Sequence, residues 1–303
     1  MTRQPFVVSG AVASALAEGR GVVALETSVL AQGLPKPRNV ETAEAMSEAI
    51  RRAGAEPAWI AVVAGSLTVG VEREDLTRLA TEADLAPKVA RRDLGPAAAR
   101  GGWGATTVSA ALWAAHRAGI HVAATGGIGG VHPGSNDVSA DLLEMARTPL
   151  TLVCSGPKSI VDPHATMERL DELGVPVMGY RCSRLPFFLA METDIELEHR
   201  ADSAAEVAAA ARVMRELGMD TTLLVANPVP EEDALDPAEV SRAAASCLAQ
   251  AEAERITGKG LTPFLLGCLV EETGGRSLDT NIALLASNAA LAAEIAAEFS
   301  KVS

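Results

Sequence analysis

The segment from residue 120 to residue 160 limits the fold of this chain more tightly than any other. It begins with a short apolar run at 120–124 (IHVAA). A glycine-rich loop follows, Thr125-Gly126-Gly127-Ile128-Gly129-Gly130, then a helical stretch, a second apolar run at 150–153 and Lys158. Short apolar runs bounded by glycine read as strands buried on both faces. Two such runs joined through a helix read as parallel neighbours. Their C-terminal ends then lie side by side, where open α/β sheets bind ligands. The glycine loop, His132, Asp137, Ser139, Asp141 and Lys158 are thereby directed towards one crevice.

The same alternation runs along the whole chain. Strands are predicted at 21–25, 59–64, 120–124, 150–153, 175–180 and 221–226. Helices are predicted at 39–53, 73–82, 107–118, 162–173, 203–217, 237–256, 262–273 and 279–299. Asn39 is the expected cap of the first of these, with Gly54 at its C′ position, and a threonine of 106–107 is the expected cap of the helix ended by Gly119. Asp236-Pro237-Ala238-Glu239 combines a capping aspartate, proline at the first helical position and an acid in the first turn. The expected fold is α/β, a three-layer α/β/α sandwich with a mostly parallel central sheet. It is read as one domain over residues 1–303, with the last helices available as a cap or a subunit contact.

Composition removes several function classes. The chain has 303 residues, is 48% hydrophobic and carries a net charge of −13. That charge argues against nucleic acid and acidic membranes as partners. At 3% aromatic content, platforms for stacking single-stranded bases are scarce. Cys154, Cys182, Cys247 and Cys268 lie far apart with no CxxC spacing, so reduced, buried thiols are expected rather than disulfides or zinc. No secretory leader and no apolar run of about 18 residues is evident, so a cytoplasmic protein is expected.

The nucleotide motifs fail. Gly127-Ile128-Gly129 is followed by Gly130-Val131-His132, which lacks the third glycine of a dinucleotide fingerprint. In Gly156-Pro157-Lys158-Ser159 a proline precedes the lysine where a P-loop requires glycine. The glycines then read as tight backbone passage. Asp137, Ser139 and Asp141 read either as helix-capping residues or as a hard-cation site, in which one carboxylate, waters and substrate oxygens suit Mg²⁺ or Mn²⁺. Lys158 reads either as a solvated lysine or as an amine nucleophile at the active edge. Glu26 ends the first predicted strand at that same edge and is a candidate acid. Lys88, near Arg91 and Arg92, is a candidate phosphate contact or part of a solvated face.

At these residues the chain closely resembles the pseudouridine-5′-phosphate glycosidase family, related to indigoidine-pathway proteins. The resemblance spans nearly the whole chain. It is carried by ALETSVLAQGLP at 24–35, GATTV at 104–108, ATGGIGGVH at 124–132 and DVSADL at 137–142. It continues in KSI at 158–160, ANP at 226–228, TPFLL at 262–266 and TGGRSLDTNI at 273–282. The resemblance implies a manganese-dependent α/β/α homotrimer that reversibly cleaves the C–C bond between uracil and ribose 5-phosphate, also classed as a pseudouridylate synthase and a carbon–oxygen lyase. By motif position it implies Lys158 as nucleophile, Glu26 as proton donor and Asp137 as holder of one Mn²⁺ per subunit. Lys88, Thr107, Val108, His132, Ser139, Ala140, Asp141 and Asn281 are implied substrate contacts. Departures from the family pattern fall at Ala64-Gly65-Ser66, at Pro133 and the short loop 133–136, and at Pro157.

Chemistry gives an independent reason for such a constellation. Ordinary glycosidases protonate a leaving oxygen with one of two carboxyl groups, and a carbon-linked base offers no such oxygen. An amine that adds at C1′ and opens the ribose ring supplies a lone pair that expels the base. The base carbon takes a proton from Glu26, and Asp141 is the expected acid for the ring oxygen. An ordinary lysine amine, with a pKa near about 10.4, is charged at neutral pH and must lose its proton before it attacks. Two further functions fit the same residues: a Schiff-base lyase or aldolase acting on another sugar phosphate, and a noncatalytic metabolite-binding protein.

Overall fold

The structure is a computed structural model that describes residues 4–82, 86–133, 137–256 and 258–300. Its strands are β1 (Phe6–Val8), β2 (Val22–Glu26), β3 (Glu56–Val63), β4 (Ser66–Val69), β5 (Lys88–Val89), β6 (Gly104–Thr106), β7 (Val122–Ala124), β8 (Thr151–Cys154), β9 (Val177–Tyr180), β10 (His199–Ala201) and β11 (Leu223–Ala226). Its helices are α1 (Gly10–Ala17), α2 (Arg38–Arg52), α3 (Arg73–Thr81), α4 (Leu94–Ala99), α5 (Val108–Arg117), α6 (Ala140–Met145), α7 (Pro163–Glu172), α8 (Ala204–Glu216), α9 (Pro237–Ala253), α10 (Leu261–Glu272) and α11 (Arg276–Ser300).

One sheet runs in the order β1-β4-β3-β2-β7-β8-β11-β9-β10, with β6 beside β3 and β5 beside β6. Pairing is parallel except where β3 meets β4 and β6. The β3–β4 connection is a tight hairpin with Ala64 and Gly65 both at positive φ, the backbone such turns require. Strand β2 shows why the sandwich has three layers. Val23 and Leu25 join a core with α2, α8 and α11, while Val22 and Ala24 join one with α1 and α5. A strand buried on both faces has no polar side to alternate, which is the expected pattern for a covered parallel sheet.

The expected fold class is the observed one, and β7 pairs in parallel with β8 as the segment 120–160 implied. Several local expectations are corrected. Asn39 does not cap α2, because Pro37 occupies that position. The Asn39 amide instead donates to Leu30 O and Ala80 O, tying three segments together. Thr107 stands at the start of α5 without capping it through its side chain.

Cys247 and Cys268, expected as free thiols, form a disulfide. They belong to consecutive helices, α9 and α10, that pack on each other, a proximity hidden by a sequence separation of 21. Cys154 and Cys182 remain free. Helix α11 is long and apolar enough to cross a bilayer by composition, which the sequence reading had not singled out. Half of that stretch is buried, against α2, α8 and the central strands, so it serves as a core helix.

Candidate active site

The parallel register sets the first functional side chain. Leu25 of β2 lies opposite Ala124 of β7, so the next residues, Glu26 and Thr125, meet at the C-terminal edge. Glu26 is buried. One carboxylate oxygen accepts from Ser28 Oγ at 2.9 Å and Val29 N at 3.0 Å, and the other accepts from Thr125 Oγ1 at 3.3 Å. Three donors hold this carboxylate at the strand end.

Lys158 arrives by an extension of the same sheet. Past β7 and β8 the two chains continue side by side. Ser155 N donates to Gly126 O, Ile128 N to Gly156 O, and Lys158 N to Ile128 O. The glycines permit this closeness. A Cβ on Gly127 would lie 2.7 Å from the Phe188 ring, and one on Gly129 would lie 2.4 Å from Ser139 Oγ. Tight backbone passage is thus the structural role of the loop. Among the described residues the Lys158 amine has no hydrogen-bond or ion-pair partner, and the side chain lines the cleft.

The cleft has two lobes that share Glu26, Ser28, Lys88, Lys158 and Thr262. The larger, about 230 Å³, is walled by Arg92, Thr107, Val108, His132, Asp137, Ser139, Ala140 and Asp141. The smaller, about 40 Å³, is walled by Gln32, Gly126, Gly127, Phe188 and Asn281. Every expected site residue therefore borders one cleft. A groove of about 460 Å³ between α2, α3 and β3 is larger, but its lining contains neither lysine nor histidine. The two-lobed cleft, where Lys158, Glu26 and further cations converge, is the candidate site.

The D-x-S-x-D residues divide their labour. Ser139 caps α6, accepting from Asp141 N. Asp141 is buried, and its oxygens accept from Ser109 N and Gly129 N, each at 3.1 Å. It thus meets the N-terminus of α5, where a carboxylate is favoured. Asp141 therefore ties the glycine loop to α5 while lining the larger lobe. Asp137 is exposed at the rim.

His132 is held below its ordinary range by burial. Asp137 pulls the other way, and Lys88 and Lys158 push the imidazole further down. Its Nδ1 is buried without a partner. Arg91, grouped with Lys88 from the sequence, turns away to the fully buried Glu144, at 2.7 Å, whereas Arg92 faces the cleft. The altered hairpin 64–66 lies outside the cleft lining, and residues 134–136 of the altered loop lie outside the described residues.

Among the described residues no group of three His, Cys, Asp or Glu side chains could hold a metal ion. Asp137, which lines the larger lobe, is the carboxylate expected from the sequence to hold a cation. Such a site fits an ion that keeps several waters and takes substrate oxygens, as Mg²⁺ and Mn²⁺ do.

The site also depends on residues not singled out from the sequence. Asn288 is fully buried on α11. Its amide donates to Thr125 O at 2.9 Å, Gly126 O at 3.3 Å and Ser155 Oγ at 3.1 Å, and its oxygen accepts from Asn227 Nδ2 at 2.9 Å. Asn281 and Asn288 are seven apart, hence on one helix face. Two asparagines on one face of an alanine- and leucine-rich helix were the available signal.

The family model for indigoidine synthase A-like proteins matches residues 11–298. A pseudouridine-5′-phosphate glycosidase of Methylobacterium nodulans is 49% identical over 94% of this chain and 85% of its own length. One from Escherichia coli is 44% identical, covering 97% of this chain and 96% of its own. Among solved structures, a prealnumycin C-glycosynthase in complex with ribulose 5-phosphate superposes with a TM-score of 0.90 at 40% identity, covering 99% of this chain and 98% of the other. The indigoidine synthase A-like protein of Thermotoga maritima also gives 0.90, at 37% identity, covering 98% and 97%. The match over residues 11–298, on a mostly parallel α/β sheet, makes this chain an enzyme of the indigoidine synthase A-like class. Within that class, the chain belongs to the pseudouridine-5′-phosphate glycosidase family.

Proposed function

We propose that this enzyme cleaves the C–C glycosidic bond of pseudouridine 5′-phosphate, giving uracil and ribose 5-phosphate. The observation that carries the reading is the convergence of Glu26 and Lys158 on the junction of the two lobes. The names of the relatives and the sugar phosphate in the C-glycosynthase complex support the substrate class. Lys88 and Arg92 make the larger lobe the cationic end, suited to the phosphate, with the uncharged His132 imidazole beside them. The smaller lobe, with its aromatic and glycine walls, suits the base.

In this mechanism the free amine of Lys158 bonds to C1′ as the C1′–O4′ bond breaks, and the amine proton ends on O4′. The nitrogen lone pair then forms a C=N bond while the C1′–C5 bond breaks. The released electron pair stays on C5 of the base, which takes a proton from Glu26. Water adds to the iminium, releases ribose 5-phosphate and restores the amine, and Glu26 recovers a proton from that water. Asp141 and Asn288 keep the glycine loop in place. Asp137 would hold Mn²⁺ together with waters and substrate oxygens, and when bound the cation supplies positive charge beside the phosphate and the amine. By likeness to the family we also propose a homotrimer, which sedimentation velocity would test.

The test is release of uracil from pseudouridine 5′-phosphate with and without manganese, run beside simple aldol substrates. Borohydride added during turnover should fix ribose phosphate on Lys158. An enzyme that leaves the substrate intact while cleaving an aldol substrate would instead be a Schiff-base aldolase. One that does neither would be a metabolite-binding protein.

A further inference from the structure

We infer that Gln32 reads the base, its Oε1 accepting a ring N–H of the pyrimidine held in the smaller lobe. This inference rests on the reaction proposed above and adds a specificity-determining residue to it.

Gln32 lies in the wide helical turn Val29–Gly33 that follows β2. Its Nε2 donates to Ala86 O at 2.8 Å. That bond sets the orientation of the amide, because exchanging its nitrogen and oxygen would bring two acceptors face to face. Oε1 is therefore held at the other end of the amide, and it is buried with no hydrogen-bond partner. Buried amide oxygens are rarely left so, and each one calls for an explanation. A ligand that brings a donor supplies one, since Gln32 lines the small lobe.

The walls of that lobe say what kind of ligand. Phe188 contributes an aromatic ring from a backbone at φ 54°, a conformation that a bulky residue seldom adopts. Gly126 and Gly127 contribute no side chains at all. Asn281 is the other side-chain amide of the lining. A small slot with an aromatic ring and side-chain-free glycines in its walls, and two side-chain amides in its lining, suits a planar heterocycle with a few ring N–H and C=O groups. Uracil linked through carbon carries two ring N–H donors, N1–H and N3–H. The first of these is absent from an N-linked uridine, so an acceptor aimed at it would also recognise the carbon linkage. A site built to bond an N–H discriminates strongly against an analogue lacking it, because its own buried polar atom is then left unpaired.

The experiment compares kcat/KM for pseudouridine 5′-phosphate with its N1-methyl and N3-methyl analogues, in the unmutated enzyme, Gln32→Met and Gln32→Ala. The unmutated enzyme should prefer the parent over one methyl analogue by about a hundredfold or more. Both variants should lose most of that preference, mainly by losing activity on the parent. Turnover of the methyl analogue shows that they are folded. A preference unchanged in both variants, or an unmutated enzyme that treats both analogues like the parent, would overturn the assignment.

Binding of free uracil and its N-methyl derivatives to the unmutated enzyme asks the same question without a substitution, and equal affinities would again overturn it. An enzyme that binds uracil, rejects one methyluracil and yet leaves pseudouridine 5′-phosphate intact would retire the proposed reaction and keep Gln32 as the base reader.

Discussion

At opposite ends of the sheet lie two cavities of about the same volume, 230 Å³ each. The one at the C-terminal ends of the strands is bordered by Glu26, Lys88, Arg92, His132, Asp137, Asp141 and Lys158. The one at the N-terminal ends of β2 and β7 is bordered mainly by glycine, alanine and aliphatic residues, with Arg20 and His121 as its ionisable members. Their difference follows from chain direction. At the N-terminal ends the chain arrives from helices closed by Gly19 and Gly119, both at positive φ, in short turns with little room for functional side chains. At the C-terminal ends it leaves towards helix N-termini, whose free N–H groups can orient a carboxylate, as Ser109 N does for Asp141. Volume alone does not mark a site in such a fold, whereas strand polarity does.

The sharpest way to break this comparison is Lys158→Ala. It should lower uracil release by about ten-thousandfold or more and abolish borohydride trapping, as expected when a covalent nucleophile is removed. Near-normal turnover would move the chemistry out of the C-terminal cleft. Glu26→Gln keeps the shape and removes the acid. It should cost about a hundredfold to ten-thousandfold in kcat, the usual range for a lost general acid. Asp137→Ala should raise the manganese concentration needed for half-maximal activity by about tenfold to a hundredfold, so that excess metal partly restores the rate. An unchanged metal titration would argue against Asp137 as the ligand.

Two smaller effects sharpen the contrast through stability. Asn288→Ala leaves Thr125 O without its side-chain donor and Gly126 O with Ser155 N alone, and urea denaturation should report a loss of about 1–3 kcal/mol. At the other end, burial, with Arg215 and His116 nearby, pushes His121 down from 6.5 to about 4. Between those values the folded state binds fewer protons than the unfolded chain, so stability falls as pH drops through that window. Thermal midpoints measured from pH 7 to pH 4 should decline less steeply in His121→Gln. Uracil release at pH 7 should be unaffected by that change.

What could be read from the sequence was whatever is local. The apolar runs that became β2, β7, β8 and β11 lie buried on both faces, and a strand of that kind announces itself by composition. Glu26 stood out because it ends such a run, and Lys158 because it lies a few residues beyond one. The antiparallel pairing of β3 with β4 and β6 did not stand out, since it depends on the Ala64-Gly65 turn and on strands of only four and three residues.

Asn39 had the residue type of a cap, yet it lies inside α2 and its amide serves Leu30 and Ala80, a choice made by tertiary structure. The tie that Asp141 makes between α5 and the glycine loop was hidden for a similar reason. Its backbone partners, Ser109 and Gly129, are distant in sequence, and no local pattern reveals them. The Cys247–Cys268 bond likewise depends on how α9 and α10 fold back on each other.

The contact between Asn288 and the carbonyls of Thr125 and Gly126 spans a separation of 163 and 162 residues. During synthesis the loop that shapes the catalytic edge leaves the ribosome long before the helix that secures it. A nascent chain therefore carries Glu26 and Lys158 without the brace that secures the loop between them, and the cleft takes its shape only when α11 docks.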